Sequence, residues 1–168
     1  MKVFVLELKQ DDPHKCTAAK LVKFDLIQST RSVPNNTIVL NPLSKIIISK
    51  TDLDLAKSIC AIDCSWNYFS ETFKKFTILH KRINRRLPLL LAGNPVNYSK
   101  IGKLTTAEAI AGCLYILGFK SYAEELMNKF KWGHTFIDLN FELLELYKEQ
   151  DNSDQILNIE KDYFPNLY

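Results

Sequence analysis

The sequence predicts an α/β protein whose amino-terminal half holds a mainly parallel sheet and whose carboxyl-terminal half is α-helical. Segments with strand-like composition alternate with helix-like segments up to about residue 92, and only helical patterns follow. Such alternation is typical of parallel sheets, whose strands are joined by helices. We therefore expect two units, an α/β unit over residues 1–86 and a unit over residues 87–168 that holds a ligand-binding segment and the remaining helices.

The first predicted elements are a strand and a short helix. Residues 2–8 are rich in apolar and β-branched side chains, which favours a strand. The pair Asp12-Pro13 that follows predicts a turn. Thr17 is then the predicted cap of a helix over Ala18–Phe24.

The strongest strand pattern covers residues 58–64, which are mostly apolar and include Asp63 near their end. Residues 37–40 predict a shorter strand, residues 46–49 a further β segment, and residues 51–54 the start of a helix. A carboxylate at the end of a buried strand is costly unless it has partners. Asp63 is therefore either a cap for a following helix or a functional carboxylate, and the sequence leaves both open.

The segment from residue 87 to residue 108 has the pattern of a ligand-binding site. Leu87–Ala92 predicts a buried strand that ends at Gly93-Asn94-Pro95. After a polar loop, Thr105 and Glu108 form the T-x-x-E pattern of a helix capping box. Ligands of open α/β folds bind where a strand ends and a helix N-terminus offers free N–H groups.

Helical patterns follow this segment to near the end of the chain. They cover residues 107–119, 121–130 and 136–149, where apolar side chains recur at helical spacing. The last 18 residues are polar until the final DYFPNLY, and we expect them either to pack as a strap or to stay loose.

Composition and motifs exclude several classes of protein. The net charge of +3 is mild, and a hydrophobic fraction of 46% is ordinary for a globular protein. We expect a cytoplasmic protein without a membrane partner, since there is neither a long apolar run nor the cleavage signature of a signal peptide. The cysteines and histidines lack metal-site spacing, so we expect no bound metal. Neither a P-loop nor a G-x-G-x-x-G motif is present, which excludes nucleotide binding through either of these motifs.

Several blocks of sequence together carry a resemblance to a known family. The blocks are DPHKCTAAKL (12–21), VLNP (39–42), AIDCSWN (61–67), RRLPLLLAGNPVNY (85–98), KLTTAEAIA (103–111) and KFKWGHTFIDLNFELLELY (129–147). In this order they resemble the small-subunit rRNA aminocarboxypropyltransferases of ribosome biogenesis. The resemblance implies a fold similar to that of SPOUT methyltransferases, in which a deep trefoil knot surrounds the cofactor site.

The resemblance also implies a reaction. Members of this family transfer the 3-amino-3-carboxypropyl group of S-adenosylmethionine to N3 of a uridine-derived nucleotide in small-subunit rRNA and release methylthioadenosine. The implied partner is the rRNA or a pre-ribosomal particle, and we expect the protein to be a monomer. Two other functions stay open, namely a SPOUT-type rRNA methyltransferase and an rRNA-binding assembly factor without catalysis.

The cofactor-binding residues that the resemblance implies fall into three groups. The adenine would lie among apolar side chains, which are Leu40, Pro42, Leu87, Leu104, Ala109 and Ile110. Trp66 would pack on the methylsulfonium, because an aromatic face attracts a cation. Thr17 and Thr106, each predicted near a helix N-terminus, would bind the carboxylate of the transferred arm.

Two further sets of residues concern catalysis and RNA. Asp63 would either accept the proton of the acceptor base or stabilise the positive sulfur electrostatically, and proton loss to solvent is a third route. The basic residues expected at the RNA are Lys20, Lys23, Lys81, Arg82, Arg85 and Arg86. The residue types alone favour a solvated surface for such lysines, whereas the resemblance favours contacts with phosphates.

Overall fold

The fold is built on a five-stranded parallel sheet. The computed structural model describes residues 1–8, 16–64, 71–74 and 83–168. The strands within them are β1 (Lys2–Glu7), β2 (Gln28–Thr30), β3 (Thr37–Leu40), β4 (Ser58–Asp63) and β5 (Ile83–Arg85). Their order in the sheet is β2-β1-β4-β3-β5, and every neighbouring pair is parallel. The predicted α/β class with a parallel sheet is confirmed.

The central strands deliver Asp63 to the carboxyl edge of the sheet. β1 pairs with β4 from Lys2 opposite Ser58 to Glu7 opposite Asp63. On the other side of β4, β3 pairs in parallel and ends with Leu40 opposite Ala61. All of β3 is buried, and so is β4 up to Asp63, as expected for parallel strands that are covered on both faces. The strands predicted near residues 37–40 and 58–64 are therefore confirmed.

Helices form most of the chain after the sheet. The helices are α1 (Thr17–Lys23), α2 (Asp52–Leu55), α3 (Thr106–Ile116), α4 (Lys120–Met127), α5 (Gly133–Leu139), α6 (Phe141–Glu149) and α7 (Ser153–Tyr163). Residues 71–74 form one further helical turn, and a 3-10 helix covers Pro165–Leu167. Among the helices in the described ranges, none is long and apolar enough to cross a membrane.

One apolar core joins the sheet to the helices. Ile59 of β4 belongs to the same buried cluster as Leu114 of α3, Phe136 of α5 and Tyr147 of α6. Most of α3 is buried, and its Gly112 lies so close to Leu90 that an added Cβ would be 2.9 Å from that leucine's methyl carbon. The core thus runs across residue 86, and the division into two units stays a prediction.

The predicted strand over Leu87–Ala92 is wrong. β5 ends at Arg85, and the next backbone pairing is a single antiparallel bridge between Leu91 and Ile101. Pro88 lacks the N–H group that a strand in a sheet interior would donate. The apolar side chains of this segment are nevertheless buried in part, with Leu90 and Ala92 fully enclosed.

Side chains from the last helices take the place of a neighbouring strand. Asn140 accepts a hydrogen bond from the Leu91 N–H at 2.7 Å and donates one to the Leu91 carbonyl at 2.8 Å. Glu160 accepts from the Leu89 N–H at 2.5 Å, and the Tyr147 hydroxyl donates to the Leu89 carbonyl at 3.2 Å. The N–H and carbonyl groups of Leu89 and Leu91 are therefore satisfied without a ladder, as buried polar groups require.

The same asparagine divides the last predicted helix. Residues 136–149 predict one helix, but α5 ends at Leu139 and α6 begins at Phe141. Between them Asn140 has φ −109 and ψ 8, outside the helical region, and its side chain also donates to the Phe136 carbonyl at 2.8 Å. Asparagine side chains compete in this way with helical hydrogen bonds, and here the competition also holds Leu91.

Other boundaries differ from the predictions in smaller ways. α3 and α4 each begin one residue before and end three residues before the predicted limits, which were 107–119 and 121–130. The first helix begins at Thr17, and Cys16 rather than Thr17 is its N-cap. Residues 46–49 contain one isolated bridge, between Ile47 and Arg86, instead of a strand.

The end of the chain is ordered by a helix. α7 starts after Asn152, whose side chain accepts from the N–H groups of Asp154 and Gln155, and the Gln155 side chain completes a capping box. Its Ile156 and Glu160 are buried, one helical turn apart. The last 18 residues therefore pack against the fold, which is the first of the two predicted alternatives.

Candidate active site

A cleft of about 900 Å³ lies at the carboxyl ends of β3 and β4. Leu40 from β3 and Ala61–Asp63 from β4 line it, together with the first residues of α1 and α3. The segment 86–89 also lines it, as do Asn94, Val96 and Asn97, with Leu167 and Tyr168 at the end of the chain. Strand ends and helix N-termini meet here because both point to the same edge of a parallel sheet.

One part of the cleft is apolar and contains most of the residues predicted to hold an adenine. Leu40, Pro42, Leu87, Leu104 and Ala109 all line it. Ile110 was expected on the same wall, but its side chain is fully buried in the core and does not line the cleft. Consecutive residues of a helix point about 100° apart, so Ala109 faces the cleft and Ile110 faces the core, and a contact of Ile110 with an adenine stays a prediction.

The polar part of the cleft is centred on Asp63. Its Oδ1 accepts a hydrogen bond from the Thr106 hydroxyl at 2.6 Å, and its Oδ2 accepts one from the Cys16 thiol at 3.1 Å. The carboxylate thus lies between the starts of α1 and α3, and it is only half-buried. These two donors provide the partners that a carboxylate at a strand end needs.

The starts of α1 and α3 are tied to each other. The Thr17 hydroxyl accepts a hydrogen bond from the Ala107 N–H at 3.2 Å, and Thr105 accepts one from the Glu108 N–H at 3.3 Å. Among the residues that the structure describes, the N–H of Thr106 has no hydrogen-bond partner. That group is one of the orphan donors of a helix N-terminus, and it lies beside the cleft-lining hydroxyls.

Glu108 is the buried anchor of this region. The predicted capping box with Thr105 is confirmed, and the carboxylate is 0% exposed. Its Oε1 accepts from the N–H groups of Gly93 and Asn94 at 2.7 and 2.9 Å. Its Oε2 accepts from the Asn94 amide at 2.8 Å and from the Thr105 N–H and hydroxyl at 2.6 and 2.9 Å. One side chain therefore fixes both ends of the loop between Asn94 and Thr105.

That loop is held by hydrogen bonds and still displays apolar side chains. The Ser99 N–H donates to the Ala92 carbonyl at 2.7 Å, and the Gly102 N–H donates to the Leu90 carbonyl at 2.9 Å. Ser99 and Gly102 have φ angles of 62 and 69, a region that favours glycine. Val96 is 83% exposed and Tyr98 58% exposed. Val96 and the neighbouring Asn97 line the mouth of the cleft.

Two of the arginines predicted at the RNA form ion pairs within the fold. The Arg85 Nε lies 2.8 Å from Asp52, whose side chain is 3% exposed. Arg86 forms a two-pronged pair with Glu160 at 2.8 and 2.7 Å, and the Glu160 side chain is 0% exposed. Removing either arginine would leave a buried carboxylate unpaired, which gives both a structural role.

The other basic residues divide between exposed and undescribed positions. Lys20 and Lys23 are exposed on α1, and the Lys20 ammonium lies 4.8 Å from the centre of the Phe130 ring. Lys81 and Arg82 lie outside the described residues, and so does Trp66, the predicted neighbour of the sulfonium.

Three features of the site were missed by sequence reasoning. Cys16 was counted only as a reduced cysteine, although it contacts Asp63. Glu160 carried a signal, since it follows Ile156 by one helical turn and so had to lie on the apolar face of α7. The Tyr168 hydroxyl, which donates to Glu160 at 2.6 Å, brings the chain end to the cleft, and nothing local in the sequence indicates this.

Two models of protein families match the chain. The model described as "Ribosome biogenesis protein, C-terminal" matches residues 38–164. The model described as "Possible Fer4-like domain in RNase L inhibitor, RLI" matches residues 1–32. That segment contains one cysteine, Cys16, whereas iron–sulfur clusters are typically held by four cysteine thiolates. Across the described ranges, no three His, Cys, Asp or Glu side chains are grouped as metal ligands.

Curated relatives and a solved structure match nearly the whole chain. The 16S rRNA aminocarboxypropyltransferase of Methanothermobacter thermautotrophicus is 42% identical over 97% of this chain and 98% of its own. The protein of that name from Sulfurisphaera tokodaii is 43% identical over 99% and 98%. The structure of the SAM-dependent rRNA:acp-transferase Tsr3 from Vulcanisaeta distributa has a TM-score of 0.84 at 38% identity, covering 96% of each chain. The chain therefore belongs to the ribosome biogenesis family of the 16S rRNA aminocarboxypropyltransferases.

Proposed function

We propose that this protein transfers the 3-amino-3-carboxypropyl group of S-adenosylmethionine to N3 of a uridine or pseudouridine in small-subunit rRNA during ribosome biogenesis. The observation that carries the proposal is the cleft, in which apolar walls lead to one half-buried carboxylate, Asp63, between two helix starts. The names of the relatives at about 40% identity and of the protein in the solved structure support the same chemistry, since each is called an aminocarboxypropyl (acp) transferase that acts on rRNA.

The residues of the cleft fit the parts of S-adenosylmethionine. This cofactor supplies a positively charged sulfur and the carbon chain that is transferred. The apolar side chains of Leu40, Pro42, Leu87, Leu104 and Ala109 suit an adenine ring, because they offer flat apolar contact and exclude water. Trp66 keeps its proposed place beside the sulfonium, where an aromatic face contributes about 0.5–2 kcal/mol.

The carboxylate of the transferred arm is proposed to lie at the start of α3. The Thr106 hydroxyl already donates its proton to Asp63, whereas the Thr17 hydroxyl accepts from the Ala107 N–H and keeps its own proton to donate to a carboxylate. The N–H of Thr106, which is unpaired within the described part of the chain, is a further donor to this carboxylate, because helix N-termini favour anions. Thr17 then donates its hydroxyl proton to the carboxylate, and the Thr106 side chain shapes this end of the cleft through its bond to Asp63.

We assign Asp63 the electrostatic role at the sulfur. A sulfonium is cationic before the reaction, so a carboxylate near it strengthens cofactor binding as well as the reaction. Asp63→Asn should then weaken S-adenosylmethionine binding by roughly tenfold or more, because the loss of a Coulomb attraction of about 1.4 kcal/mol corresponds to that factor. A general base would instead lose about 10²–10⁴ in rate with nearly intact affinity. Calorimetry and single-turnover rates separate the two roles.

The acceptor RNA is proposed to lie across the mouth of the cleft. The acceptor base must reach the cofactor, so it passes Val96 and Asn97, which line that mouth. The exposed Tyr98 beside them offers a ring on which an unpaired base can stack. Lys20, Lys23, Lys81 and Arg82 supply the phosphate contacts in this proposal, and Arg85 and Arg86 act mainly in the fold.

A SPOUT-like trefoil knot and a monomeric state also belong to the proposal. The all-parallel sheet, whose neighbouring strands need crossover connections, is the feature that supports a SPOUT-like arrangement. A crystal structure with S-adenosylmethionine, traced for chain crossings around the cofactor, tests the knot. Analytical ultracentrifugation tests the monomer.

A double-label assay tests the function. The protein is incubated with a small-subunit rRNA hairpin and S-adenosylmethionine labelled either in the methyl or in the carboxyl carbon. Carboxyl label in the RNA is the expected result, and methyl label would identify a SPOUT-type methyltransferase. RNA that binds without either label would identify an assembly factor. Asp63→Asn should reduce incorporation, whereas Asp162→Asn, which neutralises an exposed carboxylate on α7, should not.

A further inference from the structure

The thiol of Cys16 contacts the carboxylate on which the proposed chemistry depends. We propose that Cys16 is a positioning residue, whose S–H group holds the Asp63 carboxylate in the orientation that binds the cofactor. This inference rests on the proposed function of the cleft. It assigns a role to a residue that makes none of the proposed contacts with the cofactor or the RNA.

The position of the Cys16 sulfur is fixed by the start of α1. As the N-cap of that helix, the Cys16 side chain accepts a hydrogen bond at Sγ from the Ala19 N–H at 3.2 Å. The same sulfur lies 3.1 Å from Asp63 Oδ2. One atom therefore links the helix start to the end of β4.

Asp63 has a separate donor on each oxygen, from two different elements. Cys16 of the α1 cap bonds to Oδ2, and Thr106 of α3 bonds to Oδ1 at 2.6 Å. With both oxygens held, rotation of the carboxylate about its Cβ–Cγ bond would break two hydrogen bonds. A charge that is fixed before the ligand binds needs no reorganisation, which is the condition for effective electrostatic stabilisation.

The thiol is suited to this task because it keeps its proton. Burial, aided by the hydrogen bond and the negative charge of Asp63, raises the pKa of the Cys16 thiol to about 11. At neutral pH the group is therefore a donor and not a thiolate that would repel the carboxylate. An S–H group is also a weak donor, so it orients Asp63 while leaving most of the carboxylate's charge available to a cation.

A double-mutant cycle on cofactor affinity tests the inference. Cys16→Ala and Cys16→Ser are made in the parent protein and in Asp63→Asn, and S-adenosylmethionine binding is measured by calorimetry. Cys16→Ala should weaken binding about 3- to 10-fold in the parent, as for loss of one hydrogen bond of ordinary strength. Cys16→Ser restores both the cap and a donor, so it should stay within about threefold of the parent.

In the Asp63→Asn background, Cys16→Ala should change the affinity for S-adenosylmethionine less than about twofold, because the carboxylate through which Cys16 acts is no longer present. Equal effects in both backgrounds would mean that Cys16 acts through the helix cap or packing, and the inference would be overturned. No effect in the parent would overturn it as well. Urea denaturation of each variant shows how much of any change comes from stability.

A second measurement needs no cofactor and separates this inference from the proposed function. Alkylation of Cys16 by iodoacetamide, followed by peptide mass spectrometry, reports the thiolate fraction of that residue. Asp63→Asn should speed alkylation of Cys16 at least threefold, while Cys113 in the core stays protected as evidence of an intact fold. An unchanged rate would show that the two groups are not coupled. If the parent binds no S-adenosylmethionine but this coupling is present, the proposed function fails and the Cys16–Asp63 contact stands.

Discussion

Replacing Glu108 by glutamine tests how the cleft is held together. The change keeps the shape of the side chain but removes its charge and turns one acceptor oxygen into a donor NH₂ group. In the structure, Oε1 serves the N–H groups of Gly93 and Asn94, and Oε2 serves the Asn94 amide and both donors of Thr105. Whichever way the amide turns, at least two buried donors lose their acceptor.

The expected cost follows from that count. A hydrogen bond to a charged group contributes about 1.5–3 kcal/mol, and the side chain of Glu108 is 0% exposed, so water cannot replace the lost partners. Two such losses destabilise the protein by roughly 3–6 kcal/mol, a large share of the about 5–15 kcal/mol that holds a typical domain together. The loop that carries Asn94 and Thr105 should lose its fixed position, so cofactor affinity should also fall.

Urea denaturation, followed by circular dichroism, measures this cost in the free energy of unfolding. Calorimetry at urea concentrations below the unfolding transition measures the affinity for S-adenosylmethionine. Glu125→Gln is the matched control, because Glu125 is exposed on α4 and should change stability by less than about 0.5 kcal/mol. A free energy of unfolding for Glu108→Gln within about 1 kcal/mol of the parent would refute the account of Glu108 as the buried anchor.

Three further predictions use other parts of the structure. Tyr98→Ala should weaken rRNA hairpin binding by about 1–3 kcal/mol in a fluorescence titration, whereas Tyr163→Ala, on α7, should not, and equal losses would argue against stacking on Tyr98. Arg86→Met should cost about 3–5 kcal/mol in urea denaturation, because Glu160 stays buried without its partner, and a cost below about 1 kcal/mol would contradict this. Burial raises the pKa of the Cys60 thiol from 9.0 to about 12. The protonated Cys60 thiol therefore contributes its full stabilisation below pH 9, and this contribution is lost as the pH rises from 9 towards 12. Above pH 9, the free energy of unfolding of Cys60→Ala should fall less steeply with pH than that of the parent. Parallel slopes would contradict this.

The parts of the fold that depend on local pattern could be predicted from the sequence. The apolar runs of β3 and β4 identify two buried strands, and the spacing of Thr105 and Glu108 identifies the helix start beside them. The place of Leu40 at the site was implied only by the family resemblance, and the parallel sheet explains why it shares a cleft with Asp63, because parallel strands end at one edge of a sheet.

The parts that failed depend on partners far away in the chain. Leu87–Ala92 has the composition of a strand, but Asn140, 49 residues from Leu91, and Glu160, 71 residues from Leu89, provide its hydrogen bonds. The ion pairs of the arginines were missed for the same reason, since no local pattern in the sequence connects Arg86 to Glu160. Which side chain satisfies a buried polar group is decided by tertiary packing, and periodicity does not contain that information.

The identity of the small-molecule product tests the proposed transfer of the aminocarboxypropyl group more directly than any other measurement. After incubation with S-adenosylmethionine and the small-subunit rRNA hairpin, the nucleoside products are separated and identified by mass spectrometry. Transfer of the aminocarboxypropyl arm from the cofactor leaves methylthioadenosine, which should accumulate in proportion to the modified RNA. Formation of S-adenosylhomocysteine instead would show methyl transfer and contradict the account.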